Sequence, residues 1–142
     1  MQNETIIGSQ YPEKVGKLID TAKMSIDILM FDWRWYKNDL SHPLQIFNQK
    51  MVRAVRRGVR IRTITNYAEL VDTLNTLGFF AKKWDKKSML HSKLMIIDNQ
   101  IVVSGSHNFT GNAFTANLET SVIFHEEALA QNFTNYFNNL WS

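Results

Sequence analysis

The sequence contains no cysteine, which excludes a disulfide framework, a cysteine-ligated metal and a cysteine nucleophile. It has only 2 proline and 6 glycine in 142 residues, too few for a fibrous or low-complexity chain. No run approaches the ~18 consecutive apolar residues that a membrane-spanning helix needs. Met1 to Gln10 also lacks a basic stretch followed by an apolar one. The last two absences predict a soluble, cytoplasmic protein, whereas the lack of cysteine leaves the compartment open. Linkers and internal repeats are missing too, so residues 1–142 read as one domain.

What is present is ordinary for a globular chain, with 44% hydrophobic and 20% charged residues. A compact chain of this length buries roughly 70% of its unfolded surface and folds without staples. The net charge is a mild +3, and its placement is more informative than its size. Arg53, Arg56, Arg57, Arg60 and Arg62 form one cluster, and Lys82, Lys83, Lys86 and Lys87 form another. Such clusters are either solvated faces or contacts for a polyanion.

Hydrophobic periodicity predicts a helix from Pro12 to about Lys23 and a strand from Ser25 to Phe31. An aperiodic loop, Asp32 to His42, carries Trp33, Trp35 and Tyr36. A second helix from Pro43 stops at Gly58; then come a β-rich run, Val59 to Thr65, a helix from Ala68 to Leu77 and a strand from Phe79 to Trp84. This alternation predicts an α/β fold, a mixed sheet with helices on both faces and some parallel pairing. His91 to Asp98 and Ile101 to Ser106 then read as a hairpin turning at Asn99-Gln100, followed by a strand, Leu118 to His125, and a closing helix, Glu126 to Leu140.

Side chains alternate on a strand, so His91 and Lys93 share a face and Asp98 has the other parity. A two- or four-residue loop centred on Asn99-Gln100 would set Lys93 opposite Ser106 and His91 opposite Asn108. That register gathers an imidazole, an ammonium, a hydroxyl and an amide: one nucleophile candidate with three donors for a tetrahedral anion. Asp98 is expected to stabilise the turn as an acceptor. Gly105 fits either a bulge, close packing or a substrate approach.

The run His91-x-Lys93, Asp98, Gly105-Ser106-x-Asn108, followed by Asn117-x-Glu119, resembles the signature of the phospholipase D superfamily, complete in spacing. The order of helices and strands resembles the single-motif members of that superfamily over almost the whole chain. The resemblance implies a metal-independent, cofactor-free displacement at phosphorus in which His91 attacks and a phosphohistidine is hydrolysed by water. It also implies that Glu119 orients the imidazole, while Lys93, Ser106 and Asn108 bind phosphate oxygens. Family members use two such motifs and this chain carries one, so a homodimer with a shared active site is expected.

For the substrate, the length resembles the bacterial non-specific endonucleases of the superfamily. Trp33, Trp35, Arg56, Arg57, Lys86 and Lys87 are the candidate contacts to a nucleic-acid strand, by charge and stacking. The aromatic residues fit packing equally well. A cardiolipin-type lipid phosphodiesterase, a non-catalytic nucleic-acid-binding module and a domain excised from a larger enzyme are the rival readings.

Overall fold

In the computed structural model, which describes residues 1–142, seven strands form one mixed sheet in the order β1-β7-β6-β5-β2-β3-β4. The strands are β1 Glu4–Ile7, β2 Ser25–Met30, β3 Arg60–Thr65, β4 Phe80–Lys83, β5 Lys93–Ile97, β6 Ile101–Gly105 and β7 Thr120–Phe124. The helices are α1 Tyr11–Thr21, α2 Pro43–Arg56, α3 Ala68–Thr76, α4 Gly111–Thr115 and α5 Glu127–Trp141. β2, β3 and β4 run parallel through α2 and α3, and every other pairing is antiparallel.

Proline opens both long helices of the first half, where a missing N–H costs nothing. Pro12 sits at the start of α1 and Pro43 at the start of α2. His42 caps α2, its Nδ1 accepting from the Leu44 N–H at 3.0 Å. The apolar stripes of α1, α2, α3 and α4 pack on one sheet face, in a core holding Ile19, Phe47, Leu74 and Phe114 over Ile28, Met95 and Val103. α5 alone covers the other face, placing Ala130 and Phe137 over Leu29, Ile64, Ile96 and Val102. The central strand β2 is therefore buried on both sides from Ile26 to Met30.

Sequence periodicity did not reveal β1 or α4. β1 is a four-residue edge strand with one buried side chain, Ile6. α4 has five residues and is nucleated by Thr110, whose side chain accepts from the Ala113 N–H at 3.2 Å.

The hairpin register also differs from the expectation by one residue. Ile97 pairs with Ile101 and Leu94 with Ser104, so the loop holds three residues, Asp98, Asn99 and Gln100. Asp98 and Asn99 both take positive φ, 53° and 54°, a conformation these two residue types tolerate. The Asp98 carboxylate is the cause. It accepts from the backbone N–H groups of Lys23, Met24 and Ser25 at 2.8 to 3.2 Å, which pins the turn to the start of β2.

Candidate functional site

The C-terminal ends of β2, β3, β4 and β6 and the N-terminal ends of β5 and β7 meet at one end of the sheet. His91 lies just before β5 and is exposed, with its ring 4.6 Å from that of Phe31, the residue after β2. Lys93 follows at the first position of β5, and its Nζ sits 3.1 Å from His91 Nδ1 and 5.4 Å from the centre of the Phe31 ring. Burial draws the Lys93 ammonium below the ordinary lysine value, and the negative charge of Glu119 acts the other way.

The second half of the site comes from the segments after β6 and before β7. Ser106 Oγ donates to Glu119 Oε1 at 2.6 Å and accepts from the Thr120 N–H at 3.0 Å. Asn117 Nδ2 donates to the other carboxylate oxygen, Oε2, at 3.2 Å. Asn108 Oδ1 accepts from the Asp32 N–H at 3.2 Å, which leaves its amide nitrogen, a donor, without an intramolecular partner. Phe31 and Asp32 therefore join the halves: Phe31 touches His91 and Lys93, and the Asp32 backbone holds Asn108.

Several expectations need correction. Lys93 does not oppose Ser106, nor His91 Asn108, because the three-residue loop shifts the register; Ser106 and Asn108 belong to chain that has left β6. Ser106 Oγ donates to Glu119, so in this structure the hydroxyl holds that carboxylate. Glu119 is held by Ser106 and Asn117 and makes no hydrogen bond to His91.

Trp33 cannot stack on a substrate. It is 1% exposed, lies edge-on to Phe109, and donates its indole N–H to Asn48 at 3.0 Å. Trp35 is half-buried and keeps a face toward a surface groove. Arg56 and Arg57 lie at the C-terminal end of α2, beyond the opposite end of the sheet. Arg57 is committed there, donating to the carbonyls of Ile19 and Ala22 at the end of α1. Lys86 and Lys87 are exposed in the loop that leads from β4 to His91, at the site's own end.

Two further residues matter that motif reading passed over. Asn66, directly after β3, donates from Nδ2 to the carbonyls of Phe31 and Leu90 at 2.9 and 3.0 Å, fixing the chain that presents His91. His107 is fully buried: its Nε2 lies 2.8 Å from the Gly8 carbonyl and its Nδ1 2.7 Å from Ser121 Oγ. A carbonyl only accepts, so Nε2 carries the proton and Nδ1 accepts from the serine. Burial holds this imidazole below the ordinary histidine value, against the Gly8 hydrogen bond and the Glu119 charge.

Gly105 has a steric reason. A Cβ there would lie 2.4 Å from both the Ser121 Cα and the Thr120 carbonyl oxygen, so β7 can approach only a glycine.

A family model described as cardiolipin synthase, phospholipase D-like domain, matches residues 15–141. The chain belongs to this phospholipase D-like family. Among curated relatives, a mitochondrial cardiolipin hydrolase of Chlamydomonas reinhardtii is 25% identical over 142 residues, covering 94% of this chain and 60% of that protein. A phospholipase D of Rickettsia conorii is 29% identical over 89 residues, covering 58% of this chain and 44% of that protein. The phospholipase D-like domain described here thus spans about 60% or less of the length of these relatives. Its fold is shared with NucT from Helicobacter pylori, at a TM-score of 0.80 with 17% identity, covering 99% of this chain and 95% of that one. Nuc from Salmonella typhimurium, a phospholipase D family member, superposes at a TM-score of 0.77 with 24% identity and the same coverage. No helix of the domain is long and apolar enough to cross a membrane.

Proposed function

We propose that this chain is a phosphodiesterase acting on nucleic acid, with His91 as nucleophile and two copies of the chain completing one active site. The observation that carries this reading is the exposed His91 imidazole lying beside the Lys93 ammonium, at the rim where Asn108 offers a free amide donor. Attack by His91 on phosphorus forms a P–N bond and breaks a P–O bond, and the leaving alkoxide needs a proton. General acid catalysis of that step is worth roughly 100- to 10,000-fold.

No other histidine of the chain suits the task. His107 is buried with both ring nitrogens engaged, and His125 pairs with Glu4 beyond the opposite end of β7; His42 caps α2 through Nδ1 and keeps Nε2 open to the groove, but no lysine stands two residues from it as Lys93 does from His91. The partner's His91 is the group that fits, and it would then activate the water that hydrolyses the phosphohistidine. Lys93 and Asn108 supply positive charge and a donor for the phosphate oxygens. These groups suit an anion and do not form a carboxylate cage for Mg²⁺ or Ca²⁺, so the reaction proceeds without a divalent ion.

Lys86 and Lys87, exposed in the loop that leads to His91, and the polar groove described below favour nucleic acid. A lipid substrate is the second reading, favoured by the similarity to a mitochondrial cardiolipin hydrolase. A purely nucleic-acid-binding module would have no use for an exposed imidazole beside an ammonium. Purified protein in EDTA, offered labelled single-stranded DNA, duplex DNA, RNA and cardiolipin vesicles in parallel, tests the proposal. Cleavage of a nucleic acid supports it, and turnover of lipid alone replaces it with the second reading.

A further inference from the structure

Beside Asn108 the loop 32–42 and α4 enclose a groove of about 1050 Å³. No aliphatic side chain lines it; its apolar surfaces are the rings of Trp35 and Tyr36. Four asparagines, Asn38, Asn108, Asn112 and Asn117, reach it from the loop, from either end of α4 and from the chain after β6. Its charges are paired in number, Arg34 and Lys37 against Asp32 and Asp39, and Asp32 is already held by Arg34 at 2.7 Å. The groove is therefore a poor site for a second phosphate.

The amides are largely unspent. Asn38 and Asn112 make no side-chain hydrogen bond, Asn108 keeps its Nδ2 free, and Asn117 keeps its Oδ1 free, since the one uses only its oxygen and the other only its nitrogen. Free donors beside free acceptors match a ligand that also carries both. An acyl glycerol presents ester acceptors and alkyl chains, and finds here neither an apolar wall nor a use for amide acceptors. The edge of a nucleobase carries donors and acceptors side by side, and its π-face stacks on an aromatic ring.

We infer that this groove receives the unstacked base of the nucleotide next to the scissile phosphate, with Trp35 stacking on it and Asn112 reading its edge. The inference rests on the nuclease reading above. It gives the substrate a conformation: the base must leave its stack, so single strands enter directly and duplex must first be opened.

The test compares wild type, Asn112→Ala and Trp35→Ala on three substrates: a short single-stranded oligonucleotide, the same oligonucleotide with abasic residues, and bis(p-nitrophenyl) phosphate. The oligonucleotide carries the base, whereas the other two do not. The ratio of kcat/KM for the oligonucleotide to that for bis(p-nitrophenyl) phosphate should fall about 5- to 10-fold in Asn112→Ala, and about 5- to 100-fold in Trp35→Ala. For the abasic oligonucleotide the same ratio should not move. Asn112 is exposed, so its variant keeps the test open even if the half-buried Trp35 proves necessary for folding. An unchanged ratio for the intact oligonucleotide in Asn112→Ala, or an equal fall for the abasic one, overturns the base site. A wild type that turns over bis(p-nitrophenyl) phosphate and cardiolipin vesicles but no oligonucleotide overturns the nuclease reading beneath it, and the base site with it.

Discussion

Replacing Gly105 by alanine adds a single methyl group where β6 faces Ser121 of β7, and its cost can be worked from the distances. The new Cβ would meet Ser121 Oγ at 2.2 Å, Ser121 Cα at 2.4 Å and the Thr120 carbonyl oxygen at 2.4 Å. Two of these are backbone atoms and cannot swing aside, so relief to ordinary contact requires the strands to part by about 1 Å. Three hydrogen bonds cross that gap: Ser106 N–H to the Thr120 carbonyl at 2.9 Å, Thr120 N–H to Ser106 Oγ at 3.0 Å, and Ser121 Oγ to His107 Nδ1 at 2.7 Å. A shift of about 1 Å puts all three beyond hydrogen-bonding distance. At ~1 kcal/mol net for each bond, with ~1–3 kcal/mol of overpacking strain offset by partial relaxation, Gly105→Ala should cost ~3–5 kcal/mol. That is a large share of the ~5–15 kcal/mol that typically holds a domain together. Urea unfolding followed by tryptophan fluorescence measures it, with a lowered midpoint at unchanged slope expected. Gly16→Ala is the internal control, because its Cβ would touch only the flexible Lys50 side chain, at 3.1 Å, inside a helix where alanine is favoured. A loss below ~1 kcal/mol in Gly105→Ala would refute the argument that close strand approach requires this glycine.

Asp98→Ala removes the acceptor of three backbone N–H groups and should destabilise by ~2–4 kcal/mol in the same assay, with Asp98→Asn recovering part of the loss. His107 has a depressed folded value, so the folded state resists protonation. Its contribution to stability should be complete above pH ~6.5 and fall away as pH drops through the folded pKa, and His107→Gln should flatten that slope of the urea midpoint against pH. Lys93 is likewise drawn down, so vanadate or sulfate binding, followed by calorimetry, should weaken on the alkaline side at a lower pH than an ordinary lysine would allow; Lys93→Arg should hold binding to higher pH. Co-expression of wild type with His91→Ala should make activity fall as the square of the wild-type fraction, about one quarter at equal amounts; a linear fall, with subunit exchange confirmed by mass spectrometry, would show that each chain works alone.

The long elements were legible because their signals are redundant. Pro43, the stripe through Phe47 and Met51, and Gly58 all bound one helix, and the structure runs it from Pro43 to Arg56. The alternation of strand and helix likewise predicted a mixed sheet covered on both faces, which is the observed architecture. β1 and α4 were not legible, since four or five residues with one or a few inward side chains fall below any periodic signal. Charge clustering misled for a related reason. Arg56, Arg57 and Arg62 are neighbours in sequence, but Arg57 caps α1 and Arg62 is paired with Asp27 at 2.8 Å beneath α5. Arg56 is exposed in the last turn of α2, so linear proximity grouped three residues that the fold places in different environments.

In the hairpin, parity within a strand predicted one side-chain contact, whereas register between strands failed. Parity within one strand is set by the backbone alone, and it placed His91 and Lys93 on one side, where their side chains do lie within 3.1 Å. Register between strands depends on the loop, and the loop here is set by a contact distant in sequence: the Asp98 carboxylate binding the N–H groups of Lys23, Met24 and Ser25. No rule of local turn chemistry contains that contact. Ser106 and Asn108 reach the site by leaving the sheet after Gly105, one tied to Glu119 and the other to the Asp32 backbone. The Asp98 clamp at one end of β2 and the Asn66 and Asn108 contacts at the other thus act on the same strand, and the position of His91 follows from how that strand is held.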